Sequence, residues 1–474
     1  MPTPPPSSVP GQPDPDFLSE ARLLRDKGNS VADNPFTLTN PVDPATICMV
    51  SDSTGADGYV EGSAQQAFND SYSWWAAAYS GGAIRVGSTC SVGGWTTADV
   101  DRNWKARVSS LRIKFPVLGI GLNNIYGATD ATVAAVEAAL RVWYEAKVRE
   151  VLAWGGVPIV TTLFPTGAAY AFASTAKRLA AFNHNKWRRE LAFNLGVPLL
   201  DPETLLVDPT SATADPYTAL MQPAGAPHPG SEARRTLGSL LWNNSLKYIV
   251  ASNNQEQGNR YSSNQLFSNP GFTGTSGNLN NGAGSLPDNV WGWNVASGKP
   301  TQGTFAITAS TDSKFSYAGA PVKSSWITVT TDTAQLTAAP SGIPQSSDQP
   351  GLLFFSSGLT VPAGTVARAT AEVEIVTPNS IIGFNAQLRD STGAYVFSGC
   401  NAVSSFSPAV NADNASNRIL TPTVFTIPEF ALTIPADLSN AGIWLVLTPV
   451  YAGVTGTTGN AVWRTRNVKV WADA

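Results

Sequence analysis

The sequence predicts an α/β domain followed by an all-β domain, and three observations carry that prediction. Short apolar runs alternate with long helix-period segments as far as about Val250. A stretch rich in Asn, Gln, Ser and Gly follows, and beyond it β-branched, alternating segments are separated by Gly, Pro and Asn. At 474 residues the chain is long enough for two or three domains.

In chain order, residues 1–44 form a proline-rich leader. It has neither a charged n-region nor an apolar h-region, so it does not read as a secretory signal. Within it, Phe17, Leu18, Ala21 and Leu24 fall at helical spacing, as in a tether or docking segment. The domain over 45–250 has five short apolar runs of buried-strand length: Thr46–Val50, Ala83–Val86, Pro116–Ile120, Val157–Thr161 and Val197–Leu200. Helices are predicted between and after them. One spans about Asp130 to Trp154, with Val133, Val136, Leu140, Trp143, Val151 and Leu152 near one face, and stops at Gly155-Gly156. A second runs from Ser174 to Leu195 before Gly196, and a third from Ser231, as N-cap, to about Tyr248. Strands alternating with helices imply a parallel sheet covered on both faces. Residues 251–265 read as a linker, and 266–474 as a β-sandwich with segments such as Trp326–Thr330, Ala369–Val376 and Val468–Trp471.

Composition narrows the function. Charged residues make up 14% and hydrophobic residues 43%, against a typical charged share of about 25%, so this is a folded chain with a weakly charged surface. A net charge of −4 with no basic cluster leaves no footprint for nucleic acid, and no apolar run reaches the roughly 18 residues of a membrane span. Cys48, Cys90 and Cys400 cannot build a disulfide framework and match no zinc spacing. Cys48 and Cys90 read as buried small hydrophobes, with a place on neighbouring strands as the alternative. No metal or cofactor is expected. Any histidine chemistry must use His184 or His228, the two histidines present.

Ligands of an open parallel sheet bind beyond the carboxyl ends of its strands. After the first strand comes Ser51-Asp52-Ser53-Thr54-Gly55, which places a serine where an exposed nucleophile belongs, although these are also ordinary turn residues. After the second comes Ser91-Val92-Gly93-Gly94-Trp95, and after the third Gly121-Leu122-Asn123-Asn124. A backbone N–H at a glycine and an asparagine amide, aimed at one point, meet the need of a developing oxyanion. His228, in Pro227-His228-Pro229-Gly230, precedes the last helix and can reach back to the first-strand serine as general base. His184, mid-helix between Asn183 and Asn185, reads as a packed or surface residue.

In this order the four blocks resemble those of the SGNH (GDSL-type) hydrolases, over about Ala45 to Val250. The resemblance implies a three-layer α/β/α fold around a five-stranded parallel sheet, with Ser53 as nucleophile and His228 as general base. It also implies an oxyanion hole made by the backbone N–H groups of Ser53 and Gly94 and the amide of Asn123. The chain departs from the family pattern at three places. Ser51 stands where the first block opens with glycine, and Asn124 where the third ends in aspartate. Gly225, three residues before His228, or Ala224 if Pro227 is an insertion, stands where the triad aspartate belongs. Three explanations stay open: a backbone carbonyl orients His228 in a Ser-His dyad; Asp201, Asp208 or Asp215 supplies the acid from the preceding loop; or the pocket binds without turnover.

In the β half, Asn269-Pro270-Gly271-Phe272 with Trp291-Gly292-Trp293 some twenty residues later resembles the start of carbohydrate-binding jelly rolls. Trp291, Trp293, Trp326 and Trp444 read first as core and second as sugar-stacking residues. An esterase domain beside such a sandwich fits removal of O-acetyl groups from a polysaccharide, and the layout resembles phage tail-fibre and tailspike deacetylases. That resemblance implies a virion protein acting outside the cell, a homotrimer attached through its leader to other tail proteins. Its substrate would be an acetylated bacterial surface polysaccharide, whether capsule, O-antigen or exopolysaccharide. The alternatives are a catalytically silent glycan-binding tail protein that keeps the scaffold, and a secreted bacterial carbohydrate esterase.

Overall fold

The computed structural model describes residues 46–56, 71–87, 89–167, 172, 174–221 and 228–250 of the first half. Of the second half it describes 266–267, 272, 274–280, 283–293, 303–308, 316–317, 320–321, 325–332, 351–355, 361–379, 381–390, 396–401, 421–434, 442–451 and 460–472. The leader, the linker, the Gly225 segment and Asn269–Gly271 therefore lie outside the described residues.

The first half is a parallel sheet of β1 (Thr46–Ser51), β2 (Arg85–Val86), β3 (Cys90–Ser91), β4 (Phe115–Leu118), β5 (Ile159–Thr161) and β6 (Leu199–Leu200). The order is β2-β1-β4-β5-β6, with β3 also paired to β1. All five predicted strands are present, the second shortened to Arg85–Val86, and β3 adds a sixth where loop was expected. After β2, Gly87 N donates to Ile47 O (2.7 Å), and a Cβ there would fall 2.6 Å from Thr46 Cγ2. Glycine lets the edge chain stay against β1 and pair again at Cys90. Cys48 and Cys90 sit on these neighbouring strands as buried free thiols.

The alternation along β1 sets the layers. Ile47 and Met49 face one core with α2 (Tyr72–Tyr79) and α8 (Ser231–Leu241), while Cys48 and Val50 face another with α3 (Thr97–Trp104), α5 (Val133–Ala153) and α6 (Thr175–Leu195). Short helices α1 (Ser53–Ala56), α4 (Leu122–Gly127) and α7 (Pro202–Leu206) follow β1, β4 and β6. Helix α5 buries Val133, Glu137, Leu140, Tyr144, Val148 and Val151, so the predicted face shifts: Leu152 is exposed, and Glu137 enters the stripe because His184 and Arg141 pair with it. The Ser174 side chain caps α6 by accepting from Lys177 N, and Gly196 ends it at φ +62°. The N-cap of α8 is Gly230, one residue before the predicted Ser231.

The second half is a jelly-roll sandwich of two large, mostly antiparallel sheets sharing one core, to which Val373 and Ile375 of one sheet and Phe384, Leu388 and Leu445 of the other contribute, with a separate two-stranded sheet of Ser316–Tyr317 and Ala320–Pro321. Within strand Val366–Thr377, half-buried and buried positions alternate from Val366 to Ile375, and the last two residues are exposed. Trp326 is buried, with the Arg464 and Arg466 guanidiniums 4.4 and 4.3 Å from its ring; Trp291 and Trp444 are half-buried.

Helix α2 joins the halves. Its sequence, Tyr-Ser-Trp-Trp-Ala-Ala-Ala-Tyr, is apolar almost all round, as a helix enclosed on every side must be. Tyr72, Ala76 and Ala77 pack on the parallel sheet, whereas Trp74, Trp75 and Ala78 enter the sandwich core, both indoles meeting Phe425 edge-on. Around this plug Tyr79 bonds Thr423 (Oη to Oγ1, 2.9 Å), and Arg235 donates to the Thr421 hydroxyl. Helix α8 lies so close to α2 that a Cβ at Gly238 would fall 2.3 Å from Trp75 Cβ, 2.8 Å from Tyr72 O and 2.9 Å from Ala76 N. Because two of those atoms are backbone, the helices must separate to admit a methyl. Gly238→Ala is therefore expected to destabilise the protein by about 1–3 kcal/mol in urea unfolding; an unchanged midpoint would mean that the contact is slack.

Candidate active site

At the carboxyl end of β1, Asp52 is buried at the bend and Ser53 opens α1 half-buried. Asp52 Oδ1 accepts from Thr54 N (3.0 Å) and Thr54 Oγ1 (2.8 Å), and Gly55 N donates to Asp52 O (3.2 Å). A Cβ on Gly55 would meet Met49 Cε at 2.6 Å and Ser51 Cβ at 2.8 Å, so only glycine lets the turn fold back on β1. The turn leaves Ser53 Oγ at the sheet edge, where the sequence placed it. Burial pushes the Asp52 carboxyl above its usual range, and its bonds from Thr54 oppose that shift.

His228 approaches from α8. Before that helix, Met221 and Pro229 form an antiparallel bridge and Gly230 N donates to Leu220 O (2.7 Å). One turn into α8, the fully buried Arg234 donates through Nη2 to Pro229 O, next to the histidine. The result is a contact of 2.8 Å between His228 Nε2 and Ser53 Oγ. Burial holds the imidazole below the ordinary histidine range, so it is neutral at pH 7. With its proton on Nδ1, Nε2 accepts from the serine hydroxyl.

Among the described residues no carboxylate bonds to His228, and the loop aspartates expected as acid partners bond elsewhere. Asp201 caps α7, its Oδ1 accepting from Thr204 N (3.1 Å) and Thr162 Oγ1 (2.9 Å), and its Oδ2 pairs with Arg189 Nε (2.8 Å). Asp208 closes a turn onto Thr210 N (2.8 Å). Asp215 accepts from Ser211 Oγ (2.9 Å) and Thr213 Oγ1 (2.6 Å), and lies against Gly167, where a Cβ would fall 1.8 Å from its Oδ1. Short acidic side chains bond readily to donors within a few residues, and those local bonds hold all three.

The remaining blocks converge on one loop. Gly94 has φ +80°, in the left-handed region that favours glycine. A Cβ on its neighbour Gly93 would lie 3.8 Å from Ser53 Cβ, whereas one on Gly94 would meet nothing within 4 Å. Gly93 thus runs past the serine, a closeness the sequence alone did not single out. Asn123 Nδ2 donates to Trp95 O (3.0 Å) in the same loop, leaving its second N–H. Asn124 accepts from Thr97 N (3.2 Å) and donates to Thr97 Oγ1 (3.0 Å). The Asn124 amide thus ties α4 to the start of α3 through both its oxygen and its nitrogen.

Beneath the site lies a fully buried arginine that the sequence reading missed. Arg188 Nη2 donates to Ile120 O (2.5 Å) and Nη1 to Thr161 O, with its guanidinium 4.0 Å from the Tyr144 ring. It satisfies carbonyls where β4 and β5 end and diverge. His184, four residues earlier, is also fully buried, with Nδ1 3.1 Å from Glu137 Oε1. It belongs to the core behind the sheet, and burial lowers its pKa to about 3.

No family model matches this sequence, and no curated protein matches it. Among solved structures, the chain is similar to Axe2, an acetylxylan esterase from Geobacillus stearothermophilus, at 16% identity over 44% of this chain and 95% of that one, with a TM-score of 0.32. It is also similar to a GDSL-like lipase from Bacteroides thetaiotaomicron (12% identity, 47% and 98% covered, TM-score 0.32) and to the acetyl xylan esterase AlAXEase (13%, 42% and 99%, 0.32).

The buried His184 yields a stability prediction. Its folded pKa, about 3, lies below the unfolded value near 6.5, so the folded state binds fewer protons between them. The neutral ring's contribution is complete above about pH 6.5 and is lost as pH falls toward 3. His184→Gln, which cannot titrate, should show a flatter fall in urea midpoint from pH 6 to pH 4 than wild type; parallel curves would rule the titration out.

Proposed function

We propose that this protein is a serine ester hydrolase working through Ser53 and His228. The observation that carries the reading is the 2.8 Å contact between His228 Nε2 and Ser53 Oγ at the carboxyl edge of a parallel sheet. In the reaction, Nε2 takes the Ser53 proton as Oγ attacks the ester carbonyl. N–H groups of Ser53, the Gly93-Gly94 turn and the second N–H of Asn123 are the donors available to the oxyanion. As the tetrahedral intermediate collapses, the ester C–O bond breaks and His228 returns the proton to the departing alkoxide, leaving an acyl-Ser53 and an alcohol. Water then repeats the sequence: Nε2 takes its proton, the acyl–Oγ bond breaks, and Ser53 and a carboxylic acid are released.

The pair works as a dyad. In a serine protease, losing the aspartate's hold on the imidazole tautomer costs about 10⁴ in turnover, yet leaves residual catalysis. Here the Pro229-Gly230 contacts fix the backbone around the ring, and burial keeps the base neutral. In substrate terms, the acyl group is acetyl and its carrier a bacterial surface polysaccharide, in keeping with a weakly charged β half that carries about twenty charged residues beyond residue 264. The setting proposed is a trimeric phage tail protein. The absence of a carboxylate on His228 among the described residues favours a second reading, a glycan-binding tail protein without turnover.

Two measurements separate these readings. Hydrolysis of p-nitrophenyl acetate by wild type should fall by about 10⁴ or more in Ser53→Ala; a folded wild type with no turnover on this ester or on acetylated glycan would leave the binding reading. The kcat/KM profile should also lose activity only as pH drops below 6.5, because the lowered pKa of His228 keeps the base unprotonated at neutral pH. An acid limb centred above 6.5 would exclude the buried imidazole as the base.

A further inference from the structure

Tyr126 stands at the rim of the same edge and plays no part in the chemistry above. It lies three residues after Asn123 on α4, which places the two side chains on one helix face with Cβ atoms about 5–6 Å apart. Tyr126 is 56% exposed. The ring is nonetheless held in place. It stacks on the fully buried Phe172 (centroids 6.2 Å apart, planes at 25°), and Lys177 Nζ donates to the Tyr126 carbonyl (2.7 Å) while lying 5.4 Å from the ring. Ser174 Oγ, at the start of α6, bonds Asp130 Oδ1 (2.5 Å), so the two ends of this patch are tied together.

We propose that Tyr126 is the specificity-determining platform for the alcohol portion of the substrate, stacking on the C–H face of a pyranose ring. The proposal rests on the hydrolase reading and adds the residue that selects the alcohol. With an ester carbonyl between Ser53 and Asn123, the first sugar ring is only a few bonds away, on the scale of the Asn123–Tyr126 separation. Phe172 stacks against the ring and the Lys177 ammonium stands over it at 5.4 Å, yet Tyr126 keeps more than half of its surface exposed, and that surface is what a flat ring with axial hydrogens can cover. Fixed orientation favours binding, because little side-chain freedom remains to be lost. Lys177 adds a donor beside the ring for a sugar hydroxyl.

The test compares two acetate esters that differ in the alcohol: tetra-O-acetyl-xylopyranose, which carries the ring, and triacetin, which is acyclic. Tyr126→Ala should lower the ratio of their kcat/KM values about tenfold, chiefly through KM for the pyranosyl ester, and Tyr126→Trp should restore it. An unaltered ratio, whether because neither substrate changes or because both fall together, overturns the proposal. If wild type hydrolyses neither ester, the hydrolase reading fails by itself, and stacking is read separately by saturation-transfer NMR with methyl xylopyranoside. Loss of the sugar C–H signals in Tyr126→Ala then supports the platform; equal signals in both proteins overturn it.

Discussion

The close contact of α2 with α8 at Gly238 is the constraint on which the rest of the molecule depends. Ser53 and His228 are 175 residues apart in sequence. One is fixed by β1, the other by the start of α8, and α8 packs both on the sheet, through Ala233, Leu237 and Leu241, and against α2. That helix in turn has nowhere to put Trp74 and Trp75 except the core of the β-sandwich. The serine–histidine distance is therefore set by a stack that runs from the parallel sheet through α2 and α8 into the second half. The sandwich contributes to the site's geometry, and among the described residues it supplies none to the site.

The same stack bears on His228, to which no carboxylate bonds among the described residues. A triad aspartate does two things: it selects the tautomer and it stabilises the imidazolium. Here the backbone just after the ring is pinned at Pro229, by the bridge to Met221 and by Arg234. Such pinning restricts how the ring can lie. It does nothing for the imidazolium, whose formation burial opposes, so orientation and charge stabilisation are separated in this protein.

Much of this was legible in the sequence because periodicity and turn chemistry are local. The strands, α6 with its Ser174 cap and Gly196 stop, and the four loop blocks all follow from short windows. What escaped depends on tertiary contact. Helix α2 is apolar on nearly every face, so it has no amphipathic signal and is invisible to a search for one stripe. Arg188 looks like any helix arginine until the ends of β4 and β5 are seen to need a donor; its spacing from Ala181, His184 and Leu191 on α6 was the available sign. Asp201 and Asp215 looked available to His228 because sequence shows which carboxylates are near in the chain, not which local donors they already satisfy. That Gly93 passes close to Ser53 likewise depends on how two loops distant in sequence meet.

The central claim, that His228 activates Ser53, is tested most directly by intact-protein mass spectrometry after exposure to a fluorophosphonate, which phosphonylates an activated serine and releases fluoride. The dyad gives a single adduct, mapped to Ser53 by peptide digestion, in wild type and none in a folded His228→Ala protein. An unlabelled Ser53 in folded wild type, or equal labelling with and without His228, contradicts it.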